Sequence, residues 1–377
     1  MRLFKLKSKS ILSLFVATLL FLSLSFVLPE RTFAYTGTIR YAGDNRYDTA
    51  AKICQSVWDK PFIDDQGNPG YHDSEGNPVD GIVVLASGQN YPDALAGVAI
   101  GAPVLLTTKG SLSSETLTEL YRLRAKYVVI LGKDGAVSIN VENQVEGIID
   151  NYYDDSIVYR IGGDDRYQTA YEIADTFFPV ANTTDVFIAT GSNFPDSLSV
   201  APVAAEKRAP LLLVKKDSVP QSTINYLEAA SNLQNVYVIG GEGVISASVF
   251  NDLDSYGVNG ATRISGADRF ATSIAIAEYF YPTLFESDHP FPSGSDDLVF
   301  ATGSDFPDAL SGSYIVFLLQ TPILLVLKDS VPSETLMYVD TNFTLDTINT
   351  LIYLGGIGVI STDVENIIYN ALEQGAA

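Results

Sequence analysis

The chain has 377 residues, 46% hydrophobic and 18% charged, which excludes a disordered or fibrous protein and gives length for two or three domains. One cysteine (Cys54) excludes an intramolecular disulfide framework and zinc sites built on cysteine pairs, and two histidines (His72, His289) leave little room for histidine catalysis repeated across domains. With 23 Lys and Arg against 45 Asp and Glu, the net charge of −22 argues against nucleic acid as a partner.

The chain opens on a basic stretch (Arg2, Lys5, Lys7, Lys9), followed by an almost wholly apolar run from Ile11 to Leu28 that Pro29 breaks. Thr32-Phe33-Ala34 ends in a small residue suited to signal peptidase, so residues 1–34 read as a secretory signal peptide. A run of this length can also just span a bilayer, which makes an uncleaved anchor the competing reading. Cleavage removes five positive charges and one negative, leaving 18 basic against 44 acidic residues and a net charge of −26. No second apolar stretch approaches spanning length without Gly, Pro or charge, so the expected mature protein has no stable membrane insertion.

From residue 40 onward, four blocks recur in the same order three times. The first reads RYAGDNRY at 40–47, RIGGDDRY at 160–167 and RISGADRF at 263–270. The second reads VVLASGQNYPDAL at 83–95, VFIATGSNFPDSL at 186–198 and LVFATGSDFPDAL at 298–310. The third is APVLLT at 102–107, APLLLV at 209–214 and TPILLV at 321–326. The fourth is VVILGKDGAVS at 128–138, VYVIGGEGVIS at 236–246 and LIYLGGIGVIS at 351–361. First blocks start 120 and then 103 residues apart, and polar Pro/Gly-rich insertions at 59–80 and near 287–297 lengthen the outer repeats.

Short β-branched runs such as Ile82–Ala86, Val104–Leu106 and Val128–Leu131 predict strands buried on both faces. Between them, Tyr167, Ala170, Tyr171, Ala174 and Phe178 line one face of a predicted helix, and Leu117, Leu120, Tyr121 and Leu123 do much the same. Strand and helix alternate about four times per repeat, the signature of an α/β fold with a mostly parallel sheet. The expected organisation is three tandem Rossmann-like modules, 35–156, 157–259 and 260–377.

The pattern R-x-x-G-x-x-R-[YF]-x-T-[AS], with the [ST]-G-x-x-[FY]-P-D-[AS]-L and P-[VLI]-L-L blocks, resembles the cell wall-binding repeat type 2 family over essentially all of residues 36–377. The resemblance implies three modules packed with pseudo-threefold symmetry. It also implies a secreted protein held non-covalently on a Gram-positive cell wall through an anionic secondary wall polymer, with other surface-layer proteins as further partners. Many members carry an added effector domain. Only a few residues follow the third repeat here, so the expectation is a non-catalytic anchor or minor surface-layer component without cofactor or metal. The competing reading is a wall hydrolase such as an amidase, or a modifier of one, whose expected hallmark is a non-repeated His, Cys or Glu set in a separate domain.

The candidate ligand-binding residues are two arginines per repeat: Arg40 and Arg46, Arg160 and Arg166, Arg263 and Arg269. The second of each pair follows an Asn or Asp suited to cap a helix, which places a cation in the first turn against the helix dipole. A nearby anion relieves that conflict. It is either a carboxylate of the chain (Asp44, Asp164 or Asp268), making the arginines an internal clamp, or a phosphate or carboxylate on the polymer. Both readings stand on the sequence.

The Pro-Asp pairs (Pro92-Asp93, Pro195-Asp196, Pro307-Asp308) resemble catalytic carboxylates at strand ends, but no partner recurs beside them and helix capping is the better reading. The glycines at 132, 240–241 and 355–356 lack the dinucleotide-loop spacing and predict tight turns. The Pro-Leu-Leu block predicts a core strand, though the resemblance also associates it with module contacts and a polymer groove. Acidic residues in the first insertion (Asp64, Asp65, Asp73, Glu75, Asp80) lack EF-hand spacing and predict solvated turns rather than a calcium site.

Overall fold

The computed structural model describes residues 35–63, 81–281 and 297–374. The expected signal peptide, both histidines and the acidic run of the first insertion lie outside the described residues. The first sequence repeat contributes β1 (Gly37–Tyr41), α1 (Arg46–Val57), β2 (Ile82–Ser87), a short 3-10 helix (Ala96–Ile100), β3 (Val104–Thr107), α2 (Ser114–Leu123), β4 (Tyr127–Leu131) and α3 (Ile139–Ile149). The second contributes β5 (Ile157–Ile161), α4 (Arg166–Phe177), β6 (Asp185–Thr190), α5 (Pro195–Glu206), β7 (Leu211–Val214), α6 (Gln221–Ala229), β8 (Asn235–Ile239) and α7 (Ala247–Asp254). The third follows with β9 (Ala261–Ile264), α8 (Arg269–Phe280), β10 (Asp297–Thr302), α9 (Pro307–Leu319), β11 (Ile323–Val326), α10 (Ser333–Asn342), β12 (Thr350–Leu354) and α11 (Thr362–Gln374).

Among the described residues every pairing between these strands is parallel, as the doubly buried runs predict. The three sheets are ordered β3-β2-β4-β5, β7-β6-β8-β9 and β11-β10-β12-β1. Each sheet therefore takes its fourth strand from the start of the following sequence repeat. In the third sheet that place is taken by β1, with Arg40 opposite Tyr353. This pairing joins the start of the described chain to its end.

Local chemistry sets the helix starts. Asn45, Asp165 and Asp268 cap α1, α4 and α8, each accepting two backbone N–H bonds from the first turn. Thr49, Thr169 and Thr272, three residues into those helices, accept the N–H groups of Gly43, Gly163 and Gly266 at 3.0–3.1 Å. A Cβ at Gly43 would lie 2.4 Å from the Thr49 nitrogen, so the strand-to-helix turn closes only with glycine there. After β4, β8 and β12 the chain turns through Gly132, Gly240 and Gly355 at φ of +93°, +112° and +109°. The predicted tight turns are thus left-handed backbone that glycine adopts without strain.

Alternation along the strands divides the interior. In β2, Val83 and Leu85 join an outer core with Trp58 and Phe62, while Val84 and Ala86 face a central core shared by all three sheets. At the centre the 3-10 helix, α5 and α9 pack against one another. Small buried residues recur on these helices, among them Ala96, Gly97, Ser197, Ser199, Ser311 and Gly312, and a Cβ at Gly97 or Gly312 would press within 2.1 or 2.3 Å of Leu131 on β4 or Leu354 on β12. The two glycines thus let the 3-10 helix and α9 lie close on their own sheets.

Candidate functional site

The two arginines of each repeat part company in the structure. The first of each pair is consumed inside its sheet. Arg160, on β5, donates from Nε to Glu142 at 2.6 Å and from its terminal nitrogens to the carbonyls of Gly132, Val137 and Ser138. Arg40, on β1, donates twice to Glu365 and once to the Gly355 carbonyl, and lies 5.3 Å from the Tyr353 ring centroid. Arg263, on β9, bonds the Gly240 and Ser246 carbonyls but meets no carboxylate side chain there. Phe250 stands where the other repeats have Glu142 and Glu365, with its ring 4.8 Å below the guanidinium. Burial holds Arg263 below its ordinary pKa, and Glu242 opposes the shift.

The second arginines meet at the centre of the molecule instead. Arg46, Arg166 and Arg269 each donate from Nη1 to a glycine carbonyl of the same repeat: Gly88, Gly191 and Gly303, just past β2, β6 and β10. A Cβ on these glycines would press within 2.6–2.7 Å of the aromatic ring that follows the arginine, so the Ser/Thr-Gly motif clears space for the Arg-Tyr/Phe pair. Each guanidinium also lies over a ring of a different repeat: Arg46 over Phe306 at 5.8 Å, Arg166 over Tyr91 at 5.9 Å, Arg269 over Phe194 at 6.0 Å. Those three rings touch, with centroids 5.4, 5.6 and 6.2 Å apart. They form a triangle at the carboxyl ends of the strands, where open parallel sheets bind ligands.

Two of the three expected local carboxylates are occupied elsewhere: Asp164 pairs with Lys133 and Asp268 caps α8. Among the described residues only Arg46 of the three forms an ion pair within 4.0 Å, with Asp305 at 3.4 Å, and that pair is open to solvent. The remaining guanidinium N–H groups of Arg46, Arg166 and Arg269 have no acceptor among the described residues. The centre is thus rich in spare donors.

The Asp of each Pro-Asp pair does not cap its helix. Pro195 and Pro307 open α5 and α9 as expected, but Asp196 and Asp308 sit in the first turn. Their carboxyls tuck against the left-handed glycines: a Cβ at Gly240 or Gly355 would lie 2.8 or 2.5 Å from the carboxylate oxygen. Asp93 is held likewise beside Gly132 and accepts the Thr169 hydroxyl at 2.7 Å. Burial raises Asp196 to about 6 against the pull of Arg269. Burial and the neighbouring Asp305 raise Asp308 to about 6 against Arg46 and the Thr49 hydroxyl. Among the described residues no group of three or more His, Cys, Asp or Glu is placed to hold a metal, and no helix is long and apolar enough to cross a membrane.

The aromatic triangle and the threonines were missed as working parts by sequence reasoning. The available signal was the aromatic before every Pro-Asp (Tyr91, Phe194, Phe306) and the Thr three residues after every second arginine.

Comparison with known proteins places these features in a family. Over 359 residues the chain is 25% identical to the N-acetylmuramoyl-L-alanine amidase LytC of Bacillus subtilis (strain 168), covering 94% of this chain and 62% of the relative. Over 335 residues it is 25% identical to the amidase enhancer of the same organism, covering 87% of this chain and 40% of that one. The chain therefore spans less than two thirds of the length of these curated relatives. Cwp6 from Clostridium difficile superposes with a TM-score of 0.74 at 26% identity, covering 93% of this chain and 50% of its own. Cwp8 from the same organism shares the fold with a TM-score of 0.71 at 21% identity, over 89% of this chain and 52% of its own. Residues 40–142, 160–250 and 263–365 each match the cell wall binding domain 2 (CWB2) description, so the chain belongs to that family, as three copies in tandem.

Proposed function

We propose that this chain is a secreted, non-catalytic anchor that holds to the cell wall through an anionic secondary wall polymer. The observation that carries the reading is the unequal use of the six arginines. Arg40, Arg160 and Arg263 spend their donors on the fold, whereas Arg46, Arg166 and Arg269 keep donors to spare past the carboxyl ends of β2, β6 and β10. A chain of −26 repels a polyanion at long range, so attraction has to come from such local cationic clusters, within a Debye length of about 8 Å at physiological salt.

The test is a pull-down of the mature chain on intact and polymer-depleted walls, run beside thermal melts. Changing Arg46, Arg166 and Arg269 together to Gln is expected to abolish sedimentation with intact walls while the chain stays folded, at a cost of about 3 kcal/mol for the three carbonyl bonds. Unchanged sedimentation of a folded triple variant overturns the assignment. The amidase and amidase enhancer among the relatives motivate a second arm: a zymogram of the mature chain against peptidoglycan, in which no clearing is expected.

A further inference from the structure

The repetition of the motif suggests three sites per chain, but the contacts do not divide that way. Each second arginine is fixed by a carbonyl of its own repeat and a ring of another: Arg46 by Gly88 and Phe306, Arg166 by Gly191 and Tyr91, Arg269 by Gly303 and Phe194. No repeat holds a complete arginine-on-ring unit by itself. The rings stand in mutual contact, each centroid no more than 6.2 Å from the other two, and the Tyr91 hydroxyl donates to the Ser192 carbonyl across the same junction. Every guanidinium carbon is within 6.0 Å of that triangle. Aromatic faces shed water from one side of each cation, which strengthens its attraction for an anion on the open side.

We propose that Arg46, Arg166 and Arg269 form one composite seat for a single compact oxyanion, so that each chain captures one anionic group of the polymer rather than three. This rests on the anchoring reading and specifies it. A phosphodiester and a sugar carboxylate share the chemistry, because both offer paired oxygens to forked N–H donors.

Amide NMR of the intact mature chain distinguishes the outcomes, with dimethyl phosphate and acetate as the two monovalent probes. A single seat moves the Gly88, Gly191 and Gly303 amides together along one binding curve for whichever probe matches the polymer's group. In that case Arg166→Gln weakens the response at all three glycines by about tenfold or more, the scale of one charge-assisted contact. Three independent sites instead leave the Gly88 and Gly303 responses unchanged in Arg166→Gln, and that result overturns the proposal. So does a wild-type chain in which neither probe moves these amides. Wall sedimentation of the same sample keeps the two readings apart: retained wall binding without an anion response removes the seat and leaves anchoring standing.

Discussion

Glu142, Phe250 and Glu365 occupy the same place in their repeats, and the difference among them fixes what Arg160, Arg263 and Arg40 contribute. Removing Arg160 leaves Glu142, only 16% exposed, without its partner, whereas removing Arg263 strands no carboxylate side chain. Arg160→Met is expected to cost about 3 kcal/mol and Arg263→Met about 1, read from chemical denaturation at neutral pH. Equal losses remove the ion pair from the account. The first-turn aspartates set a pH dependence of opposite sense to the usual carboxylate. Asp308 titrates near 6 in the folded chain, above its unfolded value of 3.8, so its contribution is fully present below pH 3.8 and is lost as pH rises through 6. Asp308→Asn is expected to flatten the fall in melting temperature between pH 4 and pH 7, worth about 2 kcal/mol. A variant whose pH profile parallels that of the parent chain refutes this. The sequence displays both arginines of a repeat in one motif and gives no sign that they separate. Which one is consumed depends on the carbonyls in the turn that follows the neighbouring strand, and those are 17–28 residues away for Arg160 and Arg263 and 315 for Arg40.

Among the elements, strands and caps were plainly legible. Doubly buried apolar runs of four to six residues became β2, β3 and β4 and their counterparts, and the Asn/Asp before each second arginine became the cap. What the repeat spacing conceals is partnership, because a repeat in sequence and a sheet in space are out of step by one strand. β1 is the element that absorbs the offset. Its removal leaves β12 as a bare edge of Leu351 and Tyr353 and strands Glu365, which Arg40 otherwise holds. A mature chain lacking residues 35–41 is expected to melt several degrees lower and to self-associate. Adding the peptide that spells residues 35–41 in excess is expected to restore the melting temperature, by mass action on the vacated edge. A shortened chain that stays monomeric at full stability contradicts the role given to β1.

At the scale of the whole molecule, the central core runs through all three sheets, so no module buries its surface alone. Trp58, the single tryptophan, reports on this. It stacks on Tyr314 of α9, 6.4 Å away, and so ties the first repeat to the third. A chain ending at Gly260 loses α9 and exposes the faces of α1 and α5 that pack on it. That chain is expected to aggregate or to self-associate, with Trp58 emission shifted to the red. A soluble monomer with unshifted emission argues for independent modules. The aromatic triangle shows why this scale escapes sequence reading: Tyr91, Phe194 and Phe306 are over a hundred residues apart, and only closure of the whole chain brings their rings into contact.

Closure through β1 also decides how the molecule carries a mechanical load. Arg46, Arg166 and Arg269 lie past the carboxyl ends of β2, β6 and β10, while the chain enters β1 at Gly37, at the opposite end of a strand running parallel to β12. A tug on Tyr35 from a molecule held at that face is directed along β1. The ladder from Gly37 to Tyr41 is then sheared, with all its hydrogen bonds strained at once, rather than opened one rung at a time. Resistance to such a pull is governed by the rate of unfolding under force and not by equilibrium stability. By the same geometry, tension applied at Tyr35 passes into the molecule through the strand that completes the third sheet.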